Sequence, residues 1–336
     1  MSSTLTTWLG GRSVTGGERV AQVLQGVGVD VVFSVPGSQV LPIWDGLSRC
    51  DGVRLIVPRS ERSAAFMAEG YGRISGFPAL LLSTLGPGVA NEAIGVLSAR
   101  QAHTPVLCIA PWQPVSKRGR IREVFQGLDH VSFFRQLSPG GRVVDRSEEL
   151  EATVEAGLDA CLAAPGPVRV DISFPLLFGS QHRPPHEATS RRLTGAPGRG
   201  PILVSEVPES REGKLVVETL STAGGPSPLS VEPGIGAAGF GLPFSLGVRC
   251  ARRGGRIILA TTLPHLLANL DSLYVSTRYQ LPIHVLVFGG EAGPLHRIAE
   301  AFGVEAVTGR RGVSEAVELL DRFPRRSSTA LVAVSA

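Results

Sequence analysis

ERSAAFMAEGYGRISGFPALLLSTLGPGVANEAIGVLSARQAHTPVLCIAPW, residues 61–112, decides the fold. Residues 61–74 carry apolar side chains at helical spacing, and 78–88 form a short apolar run closing on glycines. Helical spacing returns over 89–102, and 104–112 are apolar again. Strands that alternate with helix-length amphipathic segments predict a mostly parallel sheet with helices on both faces.

The same grammar extends outward. Upstream, GERVAQVLQGVGV (17–29) has helical spacing, while DVVFSVPG (30–37) and VRLIVPRS (53–60) read as strands. Downstream, EELEATVEAGLDACLAA (148–164) and GPVRVDISFP (166–175) add one more helix and strand. The texture then changes to FGSQHRPPHEATSRRLTGAPGRG (178–200), polar and rich in Pro and Gly, which predicts a linker. A second series follows. PILVSEV (201–207), RIILAT (256–261) and TALVAVS (329–335) are strands, and GIGAAGFGLPFSLGVRCAR (234–252) is a Gly-rich loop running into a helix. The expectation is α/β, two doubly wound mostly parallel-sheet domains at 12–176 and 201–336, joined by a linker at 177–200.

Composition bounds the rest. The chain has 336 residues, enough for two cores, and its 43% hydrophobic content marks a well-packed globular protein rather than a disordered one; the formal charge of +4 is modest. The basic residues are almost all Arg, the only lysines being Lys117 and Lys214. The Arg clusters at 118–122 and 191–192 lack a nucleic-acid motif or aromatic platform, so they read as solvated surface. Cys50, Cys108, Cys161 and Cys250 show no CxxC or Cys/His spacing for zinc, and reduced thiols suit a cytoplasmic protein. MSSTLTTWLGGRS lacks the basic and apolar regions of a signal peptide, and no apolar run reaches membrane-spanning length.

GVDVVFSVPGSQVLPIWDGL (28–47), the 59–99 stretch, TPVLCIAPW (104–112), VFQGLDHVSFFRQLS (124–138) and APGPVRVDISFP (164–175) come in a long ordered series. This series resembles the pyrimidine-binding domain of thiamine diphosphate (ThDP)-dependent enzymes of the 2-oxo acid decarboxylase and acetolactate synthase type. ILVSEVPESR (202–211), GAAGFGLPFSLGVRCARR (236–253) and LDSLYVSTRYQLPIHVLVF (270–288) resemble the diphosphate-binding domain, most of all in the benzoylformate decarboxylase branch. The resemblance implies two ThDP-type domains without the middle domain of such enzymes, the 177–200 linker standing in its place. It also implies a homodimer or homotetramer with the active-site cleft between chains.

The resemblance assigns roles residue by residue. Glu61 stands where the family's carboxylate protonates the aminopyrimidine ring of ThDP. A magnesium ion wants oxygen ligands, and the family supplies an Asp in a GDG turn and a later Asn. In this sequence those positions hold Leu263 and Gly290. Ala238 stands where a bulky apolar residue wedges the cofactor into its reactive shape, and Thr84 where the benzoylformate branch has a catalytic His. The implied cleft is lined by Gly37, Ser38, Gln39, Thr84, Asn91 and Gln126, and by Thr261, Thr262, Leu263, Gly290 and Glu291. His103, which matches a His of that branch, and His265, in the former metal loop, are the candidate partners of Glu61. Each could equally be a structural or surface histidine.

Three readings stay open on these residues. The first is a repurposed enzyme that binds neither ThDP nor a metal. It would use the cleft for acid–base catalysed C–C or C–N bond formation or cleavage on a small carbonyl- or imine-type substrate. The second is a ThDP- and Mg²⁺-dependent decarboxylase or carboligase with an atypical anchor. The third is a non-catalytic subunit.

Overall fold

A computed structural model describes residues 14–181, 200–207, 210–222, 229–231, 234–289, 292–323 and 328–334. The first sheet is built from β1 (Val31–Ser34), β2 (Arg54–Ile56), β3 (Ala79–Leu82), β4 (Val106–Trp112), β5 (Arg142–Val144) and β6 (Pro167–Ser173). The second uses β7 (Ile202–Ser205), β8 (Leu229–Val231), β9 (Ile257–Thr262), β10 (His284–Phe288), β11 (Glu305–Gly309) and β12 (Ala330–Val334). Their orders are β2-β1-β3-β4-β6-β5 and β8-β7-β9-β10-β12-β11. Counted from its own first strand, each sheet has the same order, and every pairing within both is parallel. Two α/β domains of one topology therefore stand in a single chain.

The helices that matter are α1 (Gly16–Gly26), α2 (Leu41–Ser48), α3 (Glu61–Ser75), α4 (Pro87–Gln101), α5 (Leu150–Ala163), α6 (Arg211–Thr222), α7 (Gly241–Ala251), α8 (Leu263–Ala268), α9 (Ser272–Arg278), α10 (Ala292–Phe302) and α11 (Gly312–Leu319). One core holds α1, α2 and α5 against the outer face of the first sheet, and another holds α6 and α11 against the outer face of the second. The largest core lies between the sheets, where α3, α4 and α7 share one continuous apolar cluster.

Small residues allow that middle layer. Helix α3 starts because the Ser60 hydroxyl accepts the Ser63 N–H at 3.2 Å. It stops at Gly76, which is left-handed at φ 68°. Between those ends, a Cβ on Gly70 would sit 2.1 Å from the Phe244 carbonyl oxygen, and one on Gly247 would sit 1.9 Å from that of Met67. The α3 and α7 backbones thus touch where side chains would hold them apart. Polar bonds bracket the seam: Val57 N–H donates to the Tyr279 hydroxyl at 3.0 Å, and Arg54 donates to the Cys250 carbonyl at 2.9 Å.

One boundary shifts. The sequence puts Leu177 at the start of a linker, but Phe174–Phe178 forms a helical turn and Leu177 is fully buried in the α1 core. Its apolar run packs rather than crosses solvent. Ser180–Gln181 then pairs antiparallel with Val14–Thr15. Most of the expected linker, 182–199, lies outside the described residues.

Candidate functional site

In a doubly wound sheet, ligands bind beyond the carboxyl ends of the strands where the strand order reverses. In the first domain that point lies between β1 and β3, and the chain places Gly37, Ser38 and Gln39 after β1 and Thr84 after β3. Glu61 opens α3 just after β2. The Thr84 hydroxyl donates to Gln39 Oε1 at 2.5 Å, and Gln39 Nε2 donates to Gln126 Oε1 at 3.4 Å. A Cβ on Gly37 would meet the Thr84 side chain at 2.7 Å, so only glycine lets the two loops close.

Glu61 is half-buried, and its Oε2 accepts from Asn91 Nδ2 at 3.1 Å. Gly88, in the first turn of α4, leaves room for the other carboxylate oxygen, because a Cβ there would lie 3.2 Å from Glu61 Oε1. The flanking residues tie this carboxylate to the second domain. Arg62 donates to the Ala238 carbonyl at 2.6 Å, and the Ser63 hydroxyl to Asn269 Oδ1 at 3.5 Å. Gly37, Gln39, Glu61, Thr84, Asn91 and Gln126 therefore come together, and Ser38 is exposed on their rim.

In the second domain the corresponding point lies between β7 and β9. Glu206, after β7, accepts the Gly241 N–H at 3.0 Å and also a short hydrogen bond from the Thr261 hydroxyl. The Thr262 hydroxyl caps α8, accepting from the His265 N–H at 3.5 Å. No open turn follows β9, because the chain enters α8 at once with Pro264 in its first turn. Asn269 Nδ2 donates to the Gly239 carbonyl at 2.6 Å, which pins the Gly-rich loop to the end of α8.

That loop does not fit a magnesium–diphosphate group. Leu263 presents hydrocarbon packed against the central core where a hard cation needs oxygen. The Thr261 hydroxyl is already bonded to Glu206. Among the described residues, no group of three or more His, Cys, Asp and Glu is arranged to hold a metal ion. Gly290 and Glu291 lie outside the described residues. His265 is half-buried, and its Nδ1 is enclosed without a hydrogen-bond partner. No hydrogen bond or ion pair links it to Glu61 within the chain.

His103 is not part of this constellation. It precedes β4, at the amino edge of a parallel sheet whose carboxyl edge carries Glu61 and Thr84. It lines instead a surface cavity of about 490 Å³ with Arg100, Arg142 and Gly166. Strand polarity alone separates it from the site.

A buried network escaped the sequence reading. His130, fully buried, accepts the Gly86 N–H on Nε2 at 3.3 Å and faces Asp171 Oδ1 with Nδ1 at 2.8 Å. Asp171 also takes the Arg169 Nε–H at 2.9 Å. Arg169 reaches Glu92 by a short ion pair, and Glu92 accepts a short hydrogen bond from the Ser83 hydroxyl. Burial holds the His130 imidazole below the usual histidine range, against the pull of Asp171. Trp112 stacks on the ring with centroids 5.6 Å apart, which gives this tryptophan a place in the core. The visible signal was the charged pair Arg169 and Asp171, two apart on one face of a strand whose other face is apolar.

Comparison with known proteins covers the first domain best. Residues 14–133 match the family described as thiamine pyrophosphate enzyme, N-terminal TPP binding domain. The chain is 33% identical over 159 residues to acetolactate synthase isozyme 1 large subunit of Escherichia coli, covering 47% of this chain and 28% of that protein. It is 32% identical over 160 residues to the mitochondrial acetolactate synthase catalytic subunit of Saccharomyces cerevisiae, 47% of this chain and 23% of the relative. Against the chloroplastic acetolactate synthase of Arabidopsis thaliana it is 30% identical over 207 residues, 61% of this chain and 30% of the relative. The matches thus span less than a third of each relative's length.

Proposed function

We propose that this chain, whose residues 14–133 match the thiamine pyrophosphate enzyme N-terminal domain, is a repurposed member of the ThDP-dependent superfamily that keeps the Glu61 half of the family site and has dismantled the metal–diphosphate half. The carrying observation is that asymmetry. Asn91 holds Glu61, Thr84 holds Gln39, which reaches Gln126, and the bare Gly88 lies against both Thr84 and Glu61, while Leu263 packs hydrocarbon against the core where the resemblance expects a metal ligand.

Such a cradle supports acid–base chemistry on a small neutral or anionic substrate. Glu61 moves a proton to or from a carbonyl- or imine-type group, and Asn91 holds the carboxylate in place. The C–C or C–N bond made or broken would be the one whose electrons that proton transfer releases or accepts. His265 is the second-domain group available to such a substrate. A second copy of the chain would close the cleft. Leu41 (50% exposed), Ile94 (37%) and Phe125 (82%) each stand within three residues of Gln39, Asn91 or Gln126, an apolar rim that favours cover by another chain.

The experiment is solvent-deuterium wash-in, read by NMR, over a panel of 2-oxo acids, aldehydes and their imines without added ThDP. Wash-in should fall about 10²- to 10⁴-fold in Glu61→Gln, which keeps an oxygen for Asn91. Equal wash-in in wild type and variant would sink the role given to Glu61. A second reading, ThDP binding by an atypical anchor, draws support from the family match over residues 14–133.

A further inference from the structure

We propose that His130 is a positioning residue for the Glu61 site: held by Asp171, its imidazole grips the Gly86 amide and so fixes the loop from Thr84 to Gly88. The proposal rests on Glu61 marking the working site, as above. The geometry carries it. The network takes hold of this loop at two points, at Ser83 through Glu92 and at Gly86 through His130, and Thr84 lies between them. From that loop Thr84 reaches Gln39, and the bare Gly88 makes room for the Glu61 carboxylate.

The hydrogen-bond roles are fixed by chemistry. A backbone N–H only donates, so Nε2 must accept from Gly86 and the ring proton must sit on Nδ1, directed at Asp171. Gly86 has φ 67°, and a Cβ there would lie 2.1 Å from the Gln126 carbonyl, so this backbone is held from both sides. A proton added to Nε2 would turn the acceptor into a donor facing a donor. The groups that face or surround the ring are Asp171 and Arg169 from β6, Glu92 of α4 beyond them, Trp112 from β4 with Arg118 over its ring, and Asp129 next in sequence.

Stability is a poor reason for such a network. Buried ion pairs are often replaceable by packed hydrocarbon without loss, whereas they constrain geometry. Here what they constrain is one loop.

Two variants separate positioning from bulk. His130→Gln can place an amide oxygen near Nε2 and accept from Gly86, whereas His130→Asn keeps a donor for Asp171 and is too short to put its oxygen at the Nε2 position. Exchange of the Gly86 amide with solvent deuterium, followed by NMR, should quicken about tenfold or more in H130N and stay within about threefold of wild type in H130Q. The side-chain amide resonance of Asn91, which reports the contact with Glu61, should move in H130N and return in H130Q. Unchanged Gly86 exchange in a folded H130N, or equal loosening in both variants, overturns the proposal. Should neither variant fold, the ring-nitrogen resonances of wild-type His130 decide. A protonated Nδ1 and bare Nε2 support the assignment, and the opposite tautomer refutes it. None of these readouts involves ThDP, so they stand or fall apart from the cofactor reading.

Discussion

Glu69 sits on the buried face of α3, eight residues beyond Glu61, and makes the stability of the fold depend on pH. Its carboxyl is fully buried, with Oε1 taking Arg73 Nη2 at 2.9 Å. Burial raises its pKa from 4.5 to about 7, with the Ser98 hydroxyl and Arg73 opposing. Between those values the folded protein binds a proton that the unfolded chain has released, so stability is full below pH 4.5 and is lost as pH rises toward 7. At about 1.36 kcal/mol per pH unit the loss reaches about 3 kcal/mol. Glu69→Gln removes the titrating group and keeps an acceptor for Arg73, which also holds Thr104 Oγ1 at 2.9 Å. Urea unfolding of both proteins at pH 5, 6, 7 and 8 is the assay. The variant should gain on wild type by about 2.5 kcal/mol from the lowest to the highest pH. A difference that does not change with pH would refute the reasoning, because a simple packing effect has no such slope.

Other outcomes follow from the same structure. Gly247→Ala should separate α3 from α7, lower stability by about 1–3 kcal/mol and make the seam protease-sensitive, measured by melting temperature and limited trypsin digestion. With ThDP and Mg²⁺ present, the double change Leu263→Asp and Gly290→Asn should raise metal-dependent affinity about tenfold or more over wild type. Thiol titration of the native protein should modify Cys50 first. Cys50 is half-exposed, whereas burial pushes Cys161 and Cys250 up to about 12 and leaves little thiolate.

How much of this was legible follows from how local the information is. Helix and strand alternation is local, so 61–112 announced an α/β sheet, and Ser60, Gly76 and the glycines of α7 mark ends and contacts as their chemistry requires. The repeated strand order is a matter of pairing between distant segments, which spacing does not encode. The packing of Leu263 against the central core is likewise a contact between distant segments. The His130 network was not legible, since Ser83, Glu92 and His130 each look ordinary, the charged pair Arg169 and Asp171 does not name its partners, and only the sheet brings them together. His103 was placed by its match to a family position, yet the strand it precedes already set it at the wrong edge.

The most direct measurement is isothermal titration of the wild-type protein with ThDP in the presence of Mg²⁺. A dismantled metal–diphosphate half predicts no metal-dependent heat, with any affinity weaker than about 1 mM. Saturable binding at micromolar concentration that vanishes on chelation of Mg²⁺ would contradict it.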